Sequence, residues 1–315
     1  MKKICVTGAN GFIGKSLCKR LIHSNKSIRG LVRNLNKSSN NIKVQYIPIG
    51  DIEIKKNWKN ELSGYDCVVH CAGLAHKNYR EKKNLSINYN SVNYVSTKKL
   101  AEQCVLFGVK RFVFLSTIGV LGDNTNNRGP FLYSDKPNPK NEYAISKYEA
   151  EKALLKISKK TGLEIVIIRL PLVYGPHSIG NFKRLLKLIK SRIPMPFGSI
   201  KNKRSLIGID NLTDALVHCI NCKDATGKTL LVSDNEDLSV SDLITYIEKI
   251  LGLPTRLFRF PIFVLKFFGH IFRKQNDVNK LTNTLQIDIK YTKKILNWRP
   301  QVSVQEGIRR AIKNL

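Results

Sequence analysis

Three glycines, Gly8, Gly11 and Gly14, separate an apolar run, Ile4-Cys5-Val6, from a segment in which Leu17, Cys18, Leu21 and Ile22 recur at helical spacing. The pattern reads as strand, glycine turn, helix. Glycines allow a tight turn and let a pyrophosphate approach bare backbone at the helix N-terminus, where unpaired N–H groups and the helix dipole favour an anion. Gly8, Asn10, Gly11, Phe12, Ile13 and Gly14 are therefore candidate dinucleotide contacts. Gly14-Lys15-Ser16 looks like the close of a P-loop, but that spacing requires a glycine at position 9, and the residue is Ala9.

Strand-like and helical patterns then alternate. Strands are expected at Ser27–Val32, Lys43–Ile47, Asp66–His70, Arg111–Ser116 and Glu164–Arg169, and helices at Asn93–Phe107 and Glu142–Lys160. Such alternation predicts an α/β fold with a parallel sheet wound on both faces. Ligands in such sheets lie beyond the C-terminal strand ends. Arg33 follows the second strand, where an NAD-selective site carries an acid for the ribose 2′-hydroxyl. A guanidinium suits a 2′-phosphate instead, so NADP(H) is expected, with NAD(H) as the alternative. Asp51 and Ile52 are expected at the adenine, and the small Ala72 and Gly73 where a dinucleotide lies close to backbone. His76 is a candidate substrate contact.

Ser116 and Thr117 close the fifth strand, and a helix beginning near Asn141 carries Tyr143 and Lys147. Positions four apart share one helix face. A tyrosine with a pKa of about 10 is a poor base at neutral pH. An adjacent ammonium and a positive nicotinamide ring are expected to lower that value and fit the phenol for proton transfer. Thr117 offers a hydroxyl to the same substrate oxygen.

The 315 residues suffice for one large or two modest domains. A formal net charge of +31 invites a nucleic-acid or anionic-membrane reading. The lysines are spread along the chain, however, so a solvated basic surface that attracts anionic substrates is expected, with no specific nucleic-acid partner. Seven scattered cysteines do not form a disulfide framework and read as buried reduced thiols. Cys219-Ile-Asn-Cys222 lacks a second pair, so no metal site is expected. Met1-Lys2-Lys3 leads straight into a strand with no signal-peptide pattern, and no run of about 20 apolar residues appears, so a cytoplasmic location without a membrane span is expected. Leu257–Phe272 is the most apolar stretch, interrupted by Arg259, Pro261, Lys266 and His270. It is expected to be a packing helix, with peripheral docking on a membrane as the alternative.

Together these residues resemble the short-chain dehydrogenase/reductase superfamily, in its extended nucleotide-sugar epimerase/dehydratase branch. The resemblance covers nearly the whole chain. It rests on Thr7–Gly14, Val92-Asn93, Thr117, Tyr143–Lys147 and Arg169-Leu170-Pro171-Leu172-Val173-Tyr174-Gly175-Pro176. It implies a Rossmann-type doubly wound sheet over residues 1–170 and a smaller mixed C-terminal substrate-binding domain over residues 171–315, some of whose segments cross back to the sheet. It implies a catalytic set of Thr117, Tyr143 and Lys147, with Tyr143 and Lys147 also contacting the cofactor, as do Asn93, Pro171 and Val173. Asn181, Phe197 and Arg204 would hold a UDP-sugar, and a homodimer is expected. Ser96 and Cys71 depart from the usual family residues without removing a functional group.

A closer likeness is to bacterial 4-keto reductases of UDP-2-acetamido-2,6-dideoxyhexoses, which serve surface polysaccharide. It is carried by Asn181–Leu185, Lys203–Leu206 and Leu231–Ser239. Related 4,6-dehydratases carry an Asp-Glu pair after the catalytic threonine. Ile118 and Gly119 stand there instead, so dehydration is not expected. The resemblance thus implies NADPH-dependent reduction at C4. The alternative is a UDP-hexose 4-epimerase that retains NAD. A non-catalytic cofactor-sensing or RNA-associated chain of the same fold is the alternative of another class.

Overall fold

The computed structural model describes residues 2–23, 27–35, 43–55, 57–75, 88–178 and 180–313. In the first half, strands β1 (Lys3–Thr7), β2 (Ser27–Val32), β3 (Val44–Pro48), β4 (Cys67–His70), β5 (Arg111–Thr117) and β6 (Glu164–Leu170) alternate with helices α1 (Phe12–Ile22), α2 (Lys59–Leu62), α3 (Ser96–Leu106) and α4 (Glu142–Thr161). The second half carries β7 (Leu172–Tyr174), α5 (Asn181–Lys190), β8 (Arg204–Gly208), α6 (Ile209–Asn221), β9 (Thr229–Leu231), β10 (Asp237–Leu238), α7 (Val240–Ile250), α8 (Ile262–Ile271), α9 (Gln275–Thr282), α10 (Lys290–Leu296) and α11 (Val304–Ile312).

A seven-stranded parallel sheet runs in the order β3-β2-β1-β4-β5-β6-β9. This is the parallel sheet expected from the alternation, in the Rossmann-type arrangement that the resemblance implies. A smaller mixed sheet runs β10-β8-β7, with β10 antiparallel and β7 parallel to β8. Residues beyond the 170/171 division return to the large sheet, where β9 forms its edge and α6 packs against α1.

A parallel sheet covered on both faces needs apolar side chains on both. Successive residues of β1 supply two cores. Ile4 and Val6 pack with Leu17 and Leu21 of α1 and Leu212 and Leu216 of α6. Cys5 turns the other way, toward Leu100 of α3 and Leu154 of α4. In β5, Val113 and Leu115 face the first core and Phe112 and Phe114 the second. The α4 helix is fixed at both ends: the Asn141 side chain accepts the Ala144 N–H at 2.9 Å, and Gly162 ends it in the left-handed region at φ +77°.

A third core joins α5, α7 and α11 beneath the small sheet. A polar knot locks it to the large sheet's loops. The Tyr174 hydroxyl donates to Asp234 Oδ2 at 2.7 Å. Asp234 also accepts from the Gly208 N–H at 3.0 Å and from Asn211 Nδ2 at 2.7 Å. Asn211 in turn accepts from the backbone N–H groups of Gln301 and Val302. Burial raises the Asp234 pKa, and the hydrogen bonds from Asn211 and Tyr174 oppose that rise.

All seven cysteines are free, and Cys222 Sγ donates to the Ile295 carbonyl at 3.2 Å. Among the described residues no cluster of metal ligands forms, and no helix is long and apolar enough to cross a membrane. One expectation holds only in part. Leu257–Phe272 packs Leu257 and Leu265 against the third core and lays Gly269 against α9, but it leaves most of its phenylalanines exposed. Periodicity reports that a helix has an apolar face and says nothing of what covers it.

Asp234→Ala is expected to strand the Tyr174 hydroxyl, the Gly208 N–H and the Asn211 amide in the interior. Unfolding in urea should show a loss of about 3 kcal/mol, with the slope against denaturant unchanged.

Candidate active site

Sheet order reverses between β1 and β4, the place where doubly wound sheets hold ligands beyond the strand ends. The loops that leave the two strands touch there. Gly8 sits at φ +62°, and a Cβ there would lie 2.9 Å from the Ala72 Cα and N. A Cβ on Gly14 would lie 2.3 Å from the Gly8 carbonyl oxygen. Backbone occupies both places, so glycine is required at each. Gly11 caps α1 without a side-chain hydrogen bond, and the helix has no acidic residue in its first turn. The amides of Phe12 and Ile13 precede the first helical hydrogen bond, which runs from the Lys15 N–H to the Gly11 carbonyl. This cradle, bare of side chains and rich in donors, fits an anionic diphosphate. Asn10 is beside it, its Nδ2 donating to the Asn34 carbonyl at 3.4 Å.

A buried relay fixes the two loops against α3. His70 ends β4 and is buried; burial first and the Lys147 charge second push its pKa down to about 3, so the imidazole is neutral. Thr97 Oγ1 donates to the Asn93 carbonyl at 2.7 Å and therefore accepts from His70 Nε2–H at 3.0 Å. Nδ1 is then the acceptor, and Thr7 Oγ1 donates to it at 2.7 Å. Thr7 Oγ1 also accepts the Ala72 N–H at 3.1 Å. Each group in the relay is paired, and Ala72 is held against Gly8.

Asn93 holds the next stretch. Its Oδ1 accepts the Leu74 N–H at 2.8 Å, and its Nδ2 donates to the Leu74 carbonyl at 3.0 Å and to Ser146 Oγ at 3.1 Å. It belongs to a π turn, Asn90–Val95, that runs into α3. The Ser96 hydroxyl stabilises this wide turn by donating to the Ser91 carbonyl, five residues back, at 2.6 Å. An ordinary helix was expected from Asn93; the wide turn begins three residues earlier. Ser96, noted as a departure from the family, is where the wide turn is pinned.

Lys147 is buried on α4, its Nζ donating to the Leu115 carbonyl at 2.9 Å and lying 4.7 Å from the centre of the Phe114 ring. A Cβ on Gly73 would sit 3.2 Å from both Lys147 Nζ and Asn93 Oδ1, so Gly73, the amide and the ammonium meet at one point. Burial pushes the Lys147 pKa down to about 8, against the pull of Cys71 and Glu151. Thr117 closes β5, its Oγ1 accepting the Gly119 N–H at 3.2 Å. A Cβ on Gly119 would contact both Thr117 Oγ1 and the Ala144 side chain, so Thr117 stands beside the first turn of α4. Tyr143 is one residue away in that turn, its ring 6.0 Å from that of Tyr89.

Burial first, then Tyr89, push the Tyr143 pKa up to about 12. The lowering expected from an ammonium and a positive nicotinamide ring together refers to the cofactor-bound site, where it has this burial to overcome.

A second network braces the same helix face. Glu151 lies one turn beyond Lys147 and is buried with Arg169, which donates to both carboxylate oxygens at 3.1 and 2.7 Å. Ser116 Oγ donates to the same carboxylate. Arg169 was read only as part of the strand-end motif, and Glu151 was not singled out. Its signal was its place at the next i+4 position after Tyr143 and Lys147.

The remaining expectations scatter. Arg33 is exposed and pairs with Asp51 at 2.8 Å, so the residue expected at a 2′-phosphate and the one expected at adenine engage each other. Ile52 is half-buried near that pair, and Pro171 and Val173 flank the start of β7. Asn181 is exposed at the start of α5, after Gly180 at φ +78°. Phe197 is half-buried against the third core. Arg204 Nη1 donates to the carbonyls of Lys280 and Asn283 at 2.9 and 3.0 Å, and burial lowers its pKa. His76 lies outside the described residues.

Residues 4–232 match the NAD dependent epimerase/dehydratase family, and the chain belongs to it. It is similar to the UDP-glucose 4-epimerase of Vibrio cholerae, with 39% identity over 311 residues that span 98% of this chain and 94% of that protein. It is also similar, at 26% identity, to the N-acetyl-alpha-D-glucosaminyl-diphospho-ditrans,octacis-undecaprenol 4-epimerase of Escherichia coli O157:H7, over 83% of this chain and 77% of that protein. Among solved structures, UDP-glucuronic acid 4-epimerase from Bacillus cereus in complex with NAD shares the fold at a TM-score of 0.80 and 25% identity, covering 99% of this chain and 96% of that one. These relatives give no support to the expected NADP(H) preference or to the closer likeness to 4-keto reductases.

Between about pH 3 and 6.5 the unfolded chain protonates His70 and the folded protein does not, so stability falls as pH drops through that window. His70→Asn is expected to flatten this acid limb. Urea midpoints measured from neutral pH to about pH 4 check it, and an unchanged slope would contradict the buried neutral imidazole.

Proposed function

We propose that this chain is a UDP-hexose 4-epimerase that retains NAD, rather than the NADPH-dependent 4-keto reductase first expected. The observation that carries this reading is the full-length 39% identity to a UDP-glucose 4-epimerase. The Arg33–Asp51 pair supports it, because a carboxylate 2.8 Å from the guanidinium opposes a 2′-phosphate. A homodimer belongs to the same proposal.

In this reading, Gly8, Gly11 and Gly14 with the Phe12 and Ile13 amides hold the cofactor diphosphate, and Asn10, Ala72, Gly73 and Asn93 line its path. Asp51 and Ile52 lie toward the adenosine side, and Pro171 and Val173 toward the other end. A nicotinamide held there would supply reversible hydride exchange at C4 of the sugar and, in its oxidised form, a positive charge beside Tyr143. Tyr143 moves the proton at the C4 oxygen, and Thr117 orients that oxygen. A phenol near pKa 12 is a donor; positive charge gathered around it makes it an acceptor as well. Lys147 provides part of that charge from the same helix face. Glu151 with Arg169 and Ser116 keeps that face fixed against β5 and β6. Between the two half-reactions the keto-sugar must turn over while its diphosphate stays held. That task falls to Asn181 and Arg204, with Phe197 against the uracil.

The test is incubation of the purified protein with UDP-glucose or UDP-N-acetylglucosamine without added cofactor. The 4-epimer should appear on anion-exchange chromatography, and NAD should be recovered from the denatured protein. Tyr143→Phe should lower kcat about 10²–10⁴-fold. Oxidation of added NADPH by a UDP-4-keto-6-deoxy sugar, with no interconversion of UDP-hexoses, would return the assignment to the reductase.

A further inference from the structure

The geometry points to α8 and its flanks as a membrane-seating face, and we propose that it docks on an anionic lipid bilayer. Phe263, Phe267, Phe268, Ile271 and Phe272 are 46–74% exposed, with Phe258 at 45% just upstream. Six of the thirteen large apolar side chains exposed among the described residues thus fall within fifteen positions. They form one patch. Phe263, Phe267 and Ile271 follow each other at i+4 spacing. Phe268 stacks on Phe272 with centres 6.2 Å apart and meets Phe267 edge-on at 6.0 Å.

The patch stands on rigid support. Leu265 packs on the third core from the opposite side of α8. Gly269 lets the helix lie close on α9, since a Cβ there would come 2.7 Å from Val278. The C-terminal end of α9 is tied down in turn, with Asn202 Nδ2 donating to the Leu281 and Asn283 carbonyls at 3.0 and 2.9 Å.

Charge identifies the occupant. From 256 to 280 the chain carries Arg256, Arg259, Lys266, Arg273, Lys274 and Lys280 against a single acid, Asp277. Among the described residues Arg259, Lys266, Arg273 and Lys274 make no ion pair. A second copy would bring the same cations to the same face and be repelled. An anionic headgroup layer answers both features: it attracts the cations, and the phenyl rings enter the boundary between headgroups and acyl chains. At ten residues the helix is far too short to cross the membrane, so it lies in the plane of the surface.

The full-length protein should sediment with vesicles of phosphatidylcholine containing about 30 mol% phosphatidylglycerol, and about tenfold less with phosphatidylcholine alone. Raising salt from about 50 to about 500 mM should weaken binding. Phe263→Ser/Phe267→Ser/Phe272→Ser and, separately, Lys266→Glu/Arg273→Glu should each lose it about tenfold while melting as the parent does. Phe267→Trp should show a blue-shifted emission only with anionic vesicles. The proposal is overturned if the parent stays in the supernatant with anionic vesicles, if neutral vesicles capture it equally, or if the triple serine variant binds like the parent. It is equally overturned if that variant only changes the sedimentation coefficient in the absence of lipid, which would mark the face as a contact between copies or with another protein.

Discussion

The close approach of two backbones, at Gly8 and Ala72, is the contact on which the candidate active site depends. Gly8 has no room for a side chain against the Ala72 backbone, and the relay from the Ala72 amide through Thr7, His70 and Thr97 to the Asn93 carbonyl keeps the two loops together. One neutral imidazole thereby couples the end of β1, the end of β4 and the start of α3. The site owes its shape to a set of short, buried hydrogen bonds made by residues that need not touch a ligand at all. In a low-dielectric interior such a chain is worth keeping only when every member is paired, and here each one is.

Lys147 illustrates the electrostatic side of the same economy of space. Its ammonium is taken out of water beside Phe114 and gains one backbone carbonyl in exchange, which leaves its proton more loosely held than that of an exposed lysine. Glu151 offsets part of that loss at a distance, yet most of its own hydrogen-bonding capacity is committed to Arg169 and Ser116. A carboxylate placed to compensate two cations of different strength holds Lys147 charged near neutrality without closing on it as a salt bridge.

Much of this was legible in the sequence because the physics is local. Parallel strands buried on both faces must be apolar runs, and five of them were placed within a residue or so of their ends. Gly8, Gly11 and Gly14 were legible because a missing Cβ is a statement about space. The Tyr143 and Lys147 pair was legible from its four-residue spacing, whereas Asn93, which meets Lys147 beside Gly73, came from a resemblance. What stayed hidden depends on partners distant in the chain. Arg33 looked like a phosphate ligand until the fold brought Asp51 to it. His70 read as the last residue of a strand, with no sign that Thr7 and Thr97 would enclose it. The burial of the Tyr143 phenol was not legible from its spacing to Lys147. The exposure of α8 needed the knowledge that α9 covers only one side of it. The strands β7, β9 and β10, of two or three residues each, are too short for a periodic signal.

The π turn at Asn90–Val95 adds a residue to the helical count without adding a loop. Every side chain upstream of it is consequently out of phase with those downstream, by about the 100° that one residue occupies on a helix. Leu100 and Cys104 can therefore point into the core while Tyr89 faces Tyr143 and Asn93 grips Leu74 from the same continuous rod. A regular helix of that sequence could satisfy one of these orientations or the other. The bulge works as a gear change between the packing half of the element and its functional half, and the Ser96 hydroxyl is the pin that keeps it engaged.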